Sequence, residues 1–377
     1  MNESSVTSSI NSSASDSTSF QTTSADPAII HYMPEPYAYG EPAVTGVLRQ
    51  SAEDFYVEEI LGFEPEGEGE HVFIWVEKIG LNTQQVADSL ARLAKVPARQ
   101  VSYSGMKDRN AVTRQWFGVH LPGNHSYDWE SLNSDQLKIL QVARHLRKLR
   151  RGVHKANRFV IKLSELALAA GELEIEADIQ RRLALITAQG VPNYFGEQRF
   201  GHGGANLTKA QQLFSGSFKV KRHQRGIYLS AARSHLFNQL LAARVTANNW
   251  NSLLAGELLM LNGTHSVFAQ RDEENLAARL ADGDIHLSGP LYGKATALCC
   301  EAEVAELEQQ ILAAFPEFLV GLKKEGLKAE RRALRVIPQD MQCTFSGDSV
   351  ELAFSLPSGC FATSVVRELV HYRLSRG

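Results

Sequence analysis

Cysteine is scarce in this 377-residue chain and shows no pattern. Cys299, Cys300, Cys343 and Cys360 include one adjacent pair and no Cys-x-x-Cys. That excludes a disulfide framework and a cysteine zinc site, and points to a reducing, cytoplasmic setting. None of the twelve histidines starts a His-x-Glu or His-Glu-x-x-His pattern, so no metal is expected. No apolar run approaches the ~18 residues of a membrane span, so no membrane partner is expected. No Lys or Arg precedes Arg49, so the basic start of a secretory or transit signal is missing. No Gly-x-x-x-x-Gly-Lys-Ser/Thr occurs, which leaves ATP chemistry without a seat. Gly201-His-Gly-Gly-Ala-Asn206 lacks the Gly-x-Gly-x-x-Gly spacing and a preceding strand, so a tight turn is the expected structure there.

What is present is a chain of two-domain length with ordinary composition, 44% hydrophobic and 21% charged. Residues 1–24 hold 14 Ser or Thr and almost nothing large and apolar. Such a segment buries too little surface to offset its ordering entropy, so residues 1–27 read as a disordered tail. Alternation and β-branched runs predict strands over 54–59, 72–77, 101–103, 157–163 and 350–356, and another near 116–121. Val86, Leu90 and Leu93 predict a helix capped by Asn82 or Thr83. Ile175, Ile179, Leu183 and Ile186 predict a second, ended by Gly190. Helical stripes at Leu236–Leu241 and at Val304, Leu307, Ile311 and Phe315 suggest a mostly helical middle. The expected organisation is a sheet domain, residues 28–185 and 334–377, interrupted by an inserted domain at 186–333.

Charge is unevenly spread. Arg144–Arg158 holds seven Lys or Arg and no acid, and the span between Glu197 and Glu257 holds eight and no acid. A solvated helix face is the ordinary account of a charge run. Here aromatics are interleaved, among them Phe159, Tyr194, Phe195, Phe200, Phe214 and Phe218. Cations for phosphates and rings for exposed bases suit RNA. Arg147, Lys148, Arg150, Arg151, Lys221 and Arg222 are the candidate RNA-backbone contacts. In the loop Ser104-Gly-Met-Lys-Asp-Arg-Asn110, Asp108 stands between Lys107 and Arg109. Opposite charge favours the ionised carboxylate, a potential nucleophile or base, although a plain charged turn gives the same spacing.

Seven co-linear segments together resemble the TruD family of tRNA pseudouridine synthases. They are Leu48-Arg-Gln-Ser-Ala-Glu-Asp-Phe-Tyr-Val-Glu58, Gly67-Glu-Gly-Glu-His71, Ser104-Gly-Met-Lys-Asp-Arg-Asn-Ala-Val-Thr-Arg-Gln-Trp116, Asn157-Arg-Phe159, Val191-Pro-Asn-Tyr-Phe-Gly-Glu-Gln-Arg-Phe-Gly201, Leu229-Ser-Ala-Ala-Arg-Ser234 and Leu356-Pro-Ser-Gly-Cys-Phe-Ala-Thr-Ser-Val-Val-Arg-Glu-Leu369. Two positions depart from the family: Arg49 stands where lysine is common, and Cys360 where serine is usual. The resemblance implies an α+β fold, with a pseudouridine-synthase mixed β-sheet catalytic domain and helices, plus an inserted TruD-specific α/β domain. It implies isomerisation of uridine to pseudouridine at tRNA position 13, by a monomer, with no cofactor. By the same resemblance Asp108 is catalytic, and Arg49 and Lys107 orient it. Phe55, Phe159 and Phe361 are the expected stacking faces for the flipped base, and Asn157 is expected to offer donor and acceptor to the uracil edge. A non-catalytic RNA-binding protein, which has no need of Asp108, is the rival reading. An RNA methyltransferase would need a glycine-rich methyl-donor turn, which is not visible.

Overall fold

The computed structural model describes residues 34–123, 125–169, 174–217, 219–271, 275–294 and 299–375; the expected 1–27 tail and Phe218 lie outside them. Strands β1 (Val44–Leu48) and β2 (Phe55–Ile60) come first, then β3 (His71–Ile79). Helix α1 (Thr83–Leu93) starts with the full capping box: Asn82 accepts from the Gln85 amide, and Gln85 reaches back to the Asn82 amide. Its Val86, Ala87 and Leu90 are buried against the sheet. Then follow β4 (Val101–Tyr103), β5 (Val112–His120), β6 (Leu137–His145) and the long β7 (Ala156–Leu168). The Arg144–Arg158 run is therefore no helix face. It covers the end of β6, a loop and the start of β7.

Helix α2 (Ile175–Gln189) ends at Gly190, whose φ of +78° and tight approach to Val336 O admit no side chain. Strand β8 (Val191–Pro192) leads away from the large sheet. The expected boundary at 186 falls inside α2, and Ile186 belongs to the core under that sheet. Beyond it come α3 (Ala205–Ser215), α4 (Arg222–Thr246), β9 (Leu258–Leu261), β10 (Val267–Ala269), α5 (Leu276–Ala281), β11 (Ile285–Leu291), α6 (Ala302–Leu312), α7 (Pro316–Lys324) and β12 (Glu330–Ala333). The expectation of a mostly helical middle gives way to a four-stranded sheet, β10-β9-β11-β12, packed with helices around Phe237, Leu241, Leu287 and Phe318. Gly201, Gly203 and Gly204, all at positive φ, make the tight turn before α3.

Strand β13 (Arg335–Val336) pairs antiparallel with β8, so the incoming and outgoing chains are held side by side. Strands β14 (Gln339–Ser346) and β15 (Ser349–Pro357) form a hairpin with Gly347 at φ +59° in its two-residue turn. Helix α8 (Ala362–Leu369) and β16 (His371–Leu374) end the described chain. The large sheet runs β14-β15-β7-β2-β5-β3-β6, with β1 on β7 and β16, and β4 on β5. It is mixed: β2 runs parallel to β5 and β1 to β16, and the other pairs are antiparallel.

Candidate active site

Strands β1 and β2 share one edge of β7. Leu48 pairs with Leu163 and Phe55 with Ile161, so the segment between them must loop out of the sheet. Arg49 opens that loop at φ +64°, a conformation that disfavours a β-carbon. Its guanidinium lies 3.8 Å from the Phe55 ring centroid, and its Nη2 donates to Asp108 Oδ2 at 2.7 Å.

Asp108 sits in the loop between β4 and β5; three side chains pin that loop's backbone, and one of the loop's own side chains ties it to the end of β3. Lys78 on β3 donates to Asp108 O and to Leu81 O, both at 2.7 Å. Burial lowers the Lys78 pKa to about 8, with Asp108 opposing and Lys107 reinforcing the shift. Thr83 accepts from the Lys107 amide at 2.9 Å, Gln115 donates to Gly105 O, and Arg109 donates to Gly80 O. Sequence reasoning missed Lys78 and Thr83. Both look like ordinary positions at the end of a strand and the start of a helix.

The two expected flanking cations do not reach the carboxylate. Arg109 is spent on Gly80. The buried Lys107 ammonium is bonded to Glu59 Oε2 at 3.0 Å and to Asn157 Oδ1 at 2.7 Å. Among the described residues, Arg49 alone pairs with Asp108. The Lys107 bond also corrects the expectation for Asn157. An ammonium only donates, so it fixes the amide oxygen on its own side and leaves Nδ2, with its two hydrogens, as the donor side of the amide. Nδ2 and the Ser358 hydroxyl both lie on His154 Nε2, at 3.3 and 2.9 Å. Burial, aided by Lys107, lowers the His154 pKa and favours the neutral ring.

These groups border one cavity of about 450 Å³. Phe55, Phe159 and Phe361 all line it, yet they differ. Phe55 and Phe159 are buried, in T-shaped contact at 6.3 Å, and belong to the sheet core. Phe361, the N-cap of α8, is half-buried and meets Phe195 edge-on at 5.8 Å. Arg49, Lys107, Asp108 and Asn157 complete the expected set, so the structure brings together all seven predicted cavity residues. It adds Met106, Tyr372 and, from the inserted unit, Gly196–Arg199. The Tyr372 phenol is pushed up to about 12, chiefly by burial, and stays protonated at neutral pH. Among the RNA-backbone candidates, Arg147, Lys148, Arg150, Arg151, Lys221 and Arg222 are all exposed, but none lines the cavity.

The model of the family described as tRNA pseudouridine synthase D (TruD) matches residues 33–206 and 205–369. Curated proteins named tRNA pseudouridine synthase D are similar over most of the chain. That of Aeromonas salmonicida is 48% identical over 335 residues, 89% of this chain and 93% of the relative. That of Shewanella oneidensis is 45% identical over 338 residues, 89% of each. The crystal structure of a putative tRNA pseudouridine synthase D from Methanosarcina mazei superimposes with a TM-score of 0.64, covering 89% of this chain and 95% of that one. At 20% identity this last likeness speaks for the fold alone.

Proposed function

The chain belongs to the TruD family of tRNA pseudouridine synthases, and from that premise we propose that Asp108 carries out the chemistry and that uridine 13 of tRNA is its target. Members of this family isomerise uridine to pseudouridine in tRNA. The bond from the sugar to N1 of uracil breaks, the base turns, and C5 bonds to the same sugar carbon. Nothing is gained or lost overall, so one positioned carboxylate and a cavity that holds the detached base meet the chemical need.

The observation that carries the reading is the state of Asp108. One carboxylate oxygen is held by Arg49 at 2.7 Å, and the other has no hydrogen-bond partner among the described residues. The side chain keeps 37% of its surface exposed at the cavity. A base must leave its stack to reach this depth. The rim of Phe361 and the edges of Phe55 and Phe159 then replace the lost stacking. Asn157 Nδ2, with its oxygen tied to Lys107, offers a donor to a uracil carbonyl. Tyr372 closes the wall as a neutral ring. The exposed cations from Arg147 to Arg151 and at Lys221 and Arg222 take the RNA backbone.

Pseudouridine mapping in tRNA from cells with and without this protein tests the target. Loss of the modification at position 13, and only there, is expected in its absence. An intact position 13 overturns the choice of target.

A further inference from the structure

We infer that Arg199 is a phosphate-binding residue of the active site: it receives a phosphodiester adjoining the flipped uridine. The inference rests on the reading above that uridine 13 enters this cavity. The segment Val191–Gly201 brings the inserted unit to the cavity wall. There Gly196 lies so close to the sheet unit that a β-carbon would stand 3.0 Å from Thr363 Oγ1 and 3.3 Å from the Phe361 ring. Arg199, three residues on, is half-buried and borders the same cavity as Asp108.

Among the described residues its charge has no counterion. Within the same set its guanidinium makes one hydrogen bond, from Nη1 to Ser230 Oγ at 3.0 Å, and no carboxylate forms an ion pair with it. Glu197, on the same turn, is exposed and unpaired with it. The guanidinium instead lies 5.5 and 5.8 Å from the Phe195 and Phe361 ring centroids. A second guanidinium, Arg332, lies 4.1 Å from the Phe195 centroid. Among the described residues it donates only to neutral oxygens, Asn193 O and Oδ1 and Gly359 O. The neighbouring Cys360 thiol is held protonated by burial. Two like charges thus stand by one ring, and burial weakens the proton affinity of both.

Elsewhere in the fold, Arg244 is paired with Glu257 and Arg182 with Asp178, and the buried Arg335, without a carboxylate, spends its donors on Asn251 Oδ1 and the carbonyls of Leu280 and Ile285. An unpaired guanidinium with free donors at a cavity is a seat for an oxyanion, which it grips through two parallel N–H bonds. The RNA strand that carries the base supplies one, since every nucleotide drawn into the cavity brings its phosphodiesters.

The test pairs a protein change with a substrate change. Full-length Arg199→Gln and Arg199→Lys are compared with wild type on a tRNA with uridine 13, and on versions bearing one uncharged methylphosphonate at either linkage flanking that uridine. Thermal melts check folding. On ordinary RNA, Arg199→Gln should lose roughly 10–100-fold in kcat/KM, the worth of a charged hydrogen bond, and Arg199→Lys should lose less. At one of the two linkages, the methylphosphonate should cost wild type a similar factor and cost Arg199→Gln nothing more. If the two losses multiply at both linkages, or if Arg199→Gln matches wild type, the inference is overturned and Arg199 only packs Phe361. Wild-type protein that leaves uridine 13 of ordinary RNA untouched contradicts the choice of target itself, a different result from either.

Discussion

The two acid-free basic stretches are alike in sequence and unlike in the fold. In Arg144–Arg158, only Arg144 is absorbed, by the carbonyls of Gly69, Leu121 and His125. Arg147, Lys148, Arg150, Arg151, Lys155 and Arg158 are exposed and carry no ion pair among the described residues. In the stretch between Glu197 and Glu257, the carboxylates missing locally arrive from elsewhere. Arg225 meets Glu325, Arg233 meets Glu330, and Arg244 meets Glu257. Lys209, Lys219, Lys221 and Arg222 remain exposed and free of ion pairs among the described residues. A charge run in sequence therefore reports a surface only when distant acids do not fold onto it. The first stretch is an almost wholly exposed cationic surface, whereas the second is divided between three ion pairs within the inserted unit and four exposed cations.

Mutation separates the two. The largest effect is expected at Arg244, which is fully buried with Glu257. Arg244→Met strands a buried carboxylate and should cost about 3–5 kcal/mol in urea unfolding while leaving tRNA affinity per folded molecule unchanged. Next comes the double reversal Arg150→Glu, Arg151→Glu. It should weaken tRNA binding at least tenfold and reduce the salt slope of log K by about two, with no change in melting temperature. Unchanged affinity and slope would reduce this stretch to a solvated loop.

Acid should act on the inserted unit. His235, among the rings of Phe200, Phe315 and Phe318, and His286 on β11 both have their pKa lowered to about 4, chiefly by burial. The unfolded chain takes up protons near pH 6.5 that these native rings refuse. Their stabilising contribution is therefore complete above pH 6.5 and lost as pH falls from 6.5 through 4. His235→Phe should lose less stability than wild type between pH 7 and pH 5; equal losses would remove His235 from the account. The smallest effect is expected at Arg225, whose pair with Glu325 is half in solvent. Arg225→Gln should cost under about 1 kcal/mol.

Local signals were the legible part of this fold. The Asn82 cap, the Gly190 stop and the alternation in β2, β3 and β15 depend on neighbours in sequence, and each element stands where they put it. Strand β6 was missed because it is an edge strand. Its Leu140 and Val142 face solvent, and no alternation survives. The helix expected from Val304, Leu307 and Ile311 forms as α6, but its buried face also includes Glu308, which pairs with Arg331 across 23 residues and which no hydropathy reading places inside. At the site, the residue types were readable and their partners were not. That Lys107 serves Asn157 and Glu59, and that Arg49 serves Asp108, depends on contacts spanning 48 to 59 residues.

The central claim is that Asp108 does the chemistry while other groups hold the RNA. Asp108→Asn keeps the shape of the side chain but removes the anion. Its turnover and tRNA affinity should be measured together on a folded sample, with pseudouridine formation in a uridine-13 tRNA transcript as the readout. The account predicts that turnover falls by several orders of magnitude, as for loss of an essential group, while binding stays within a few-fold of wild type. Wild-type-like turnover in folded Asp108→Asn protein would contradict it.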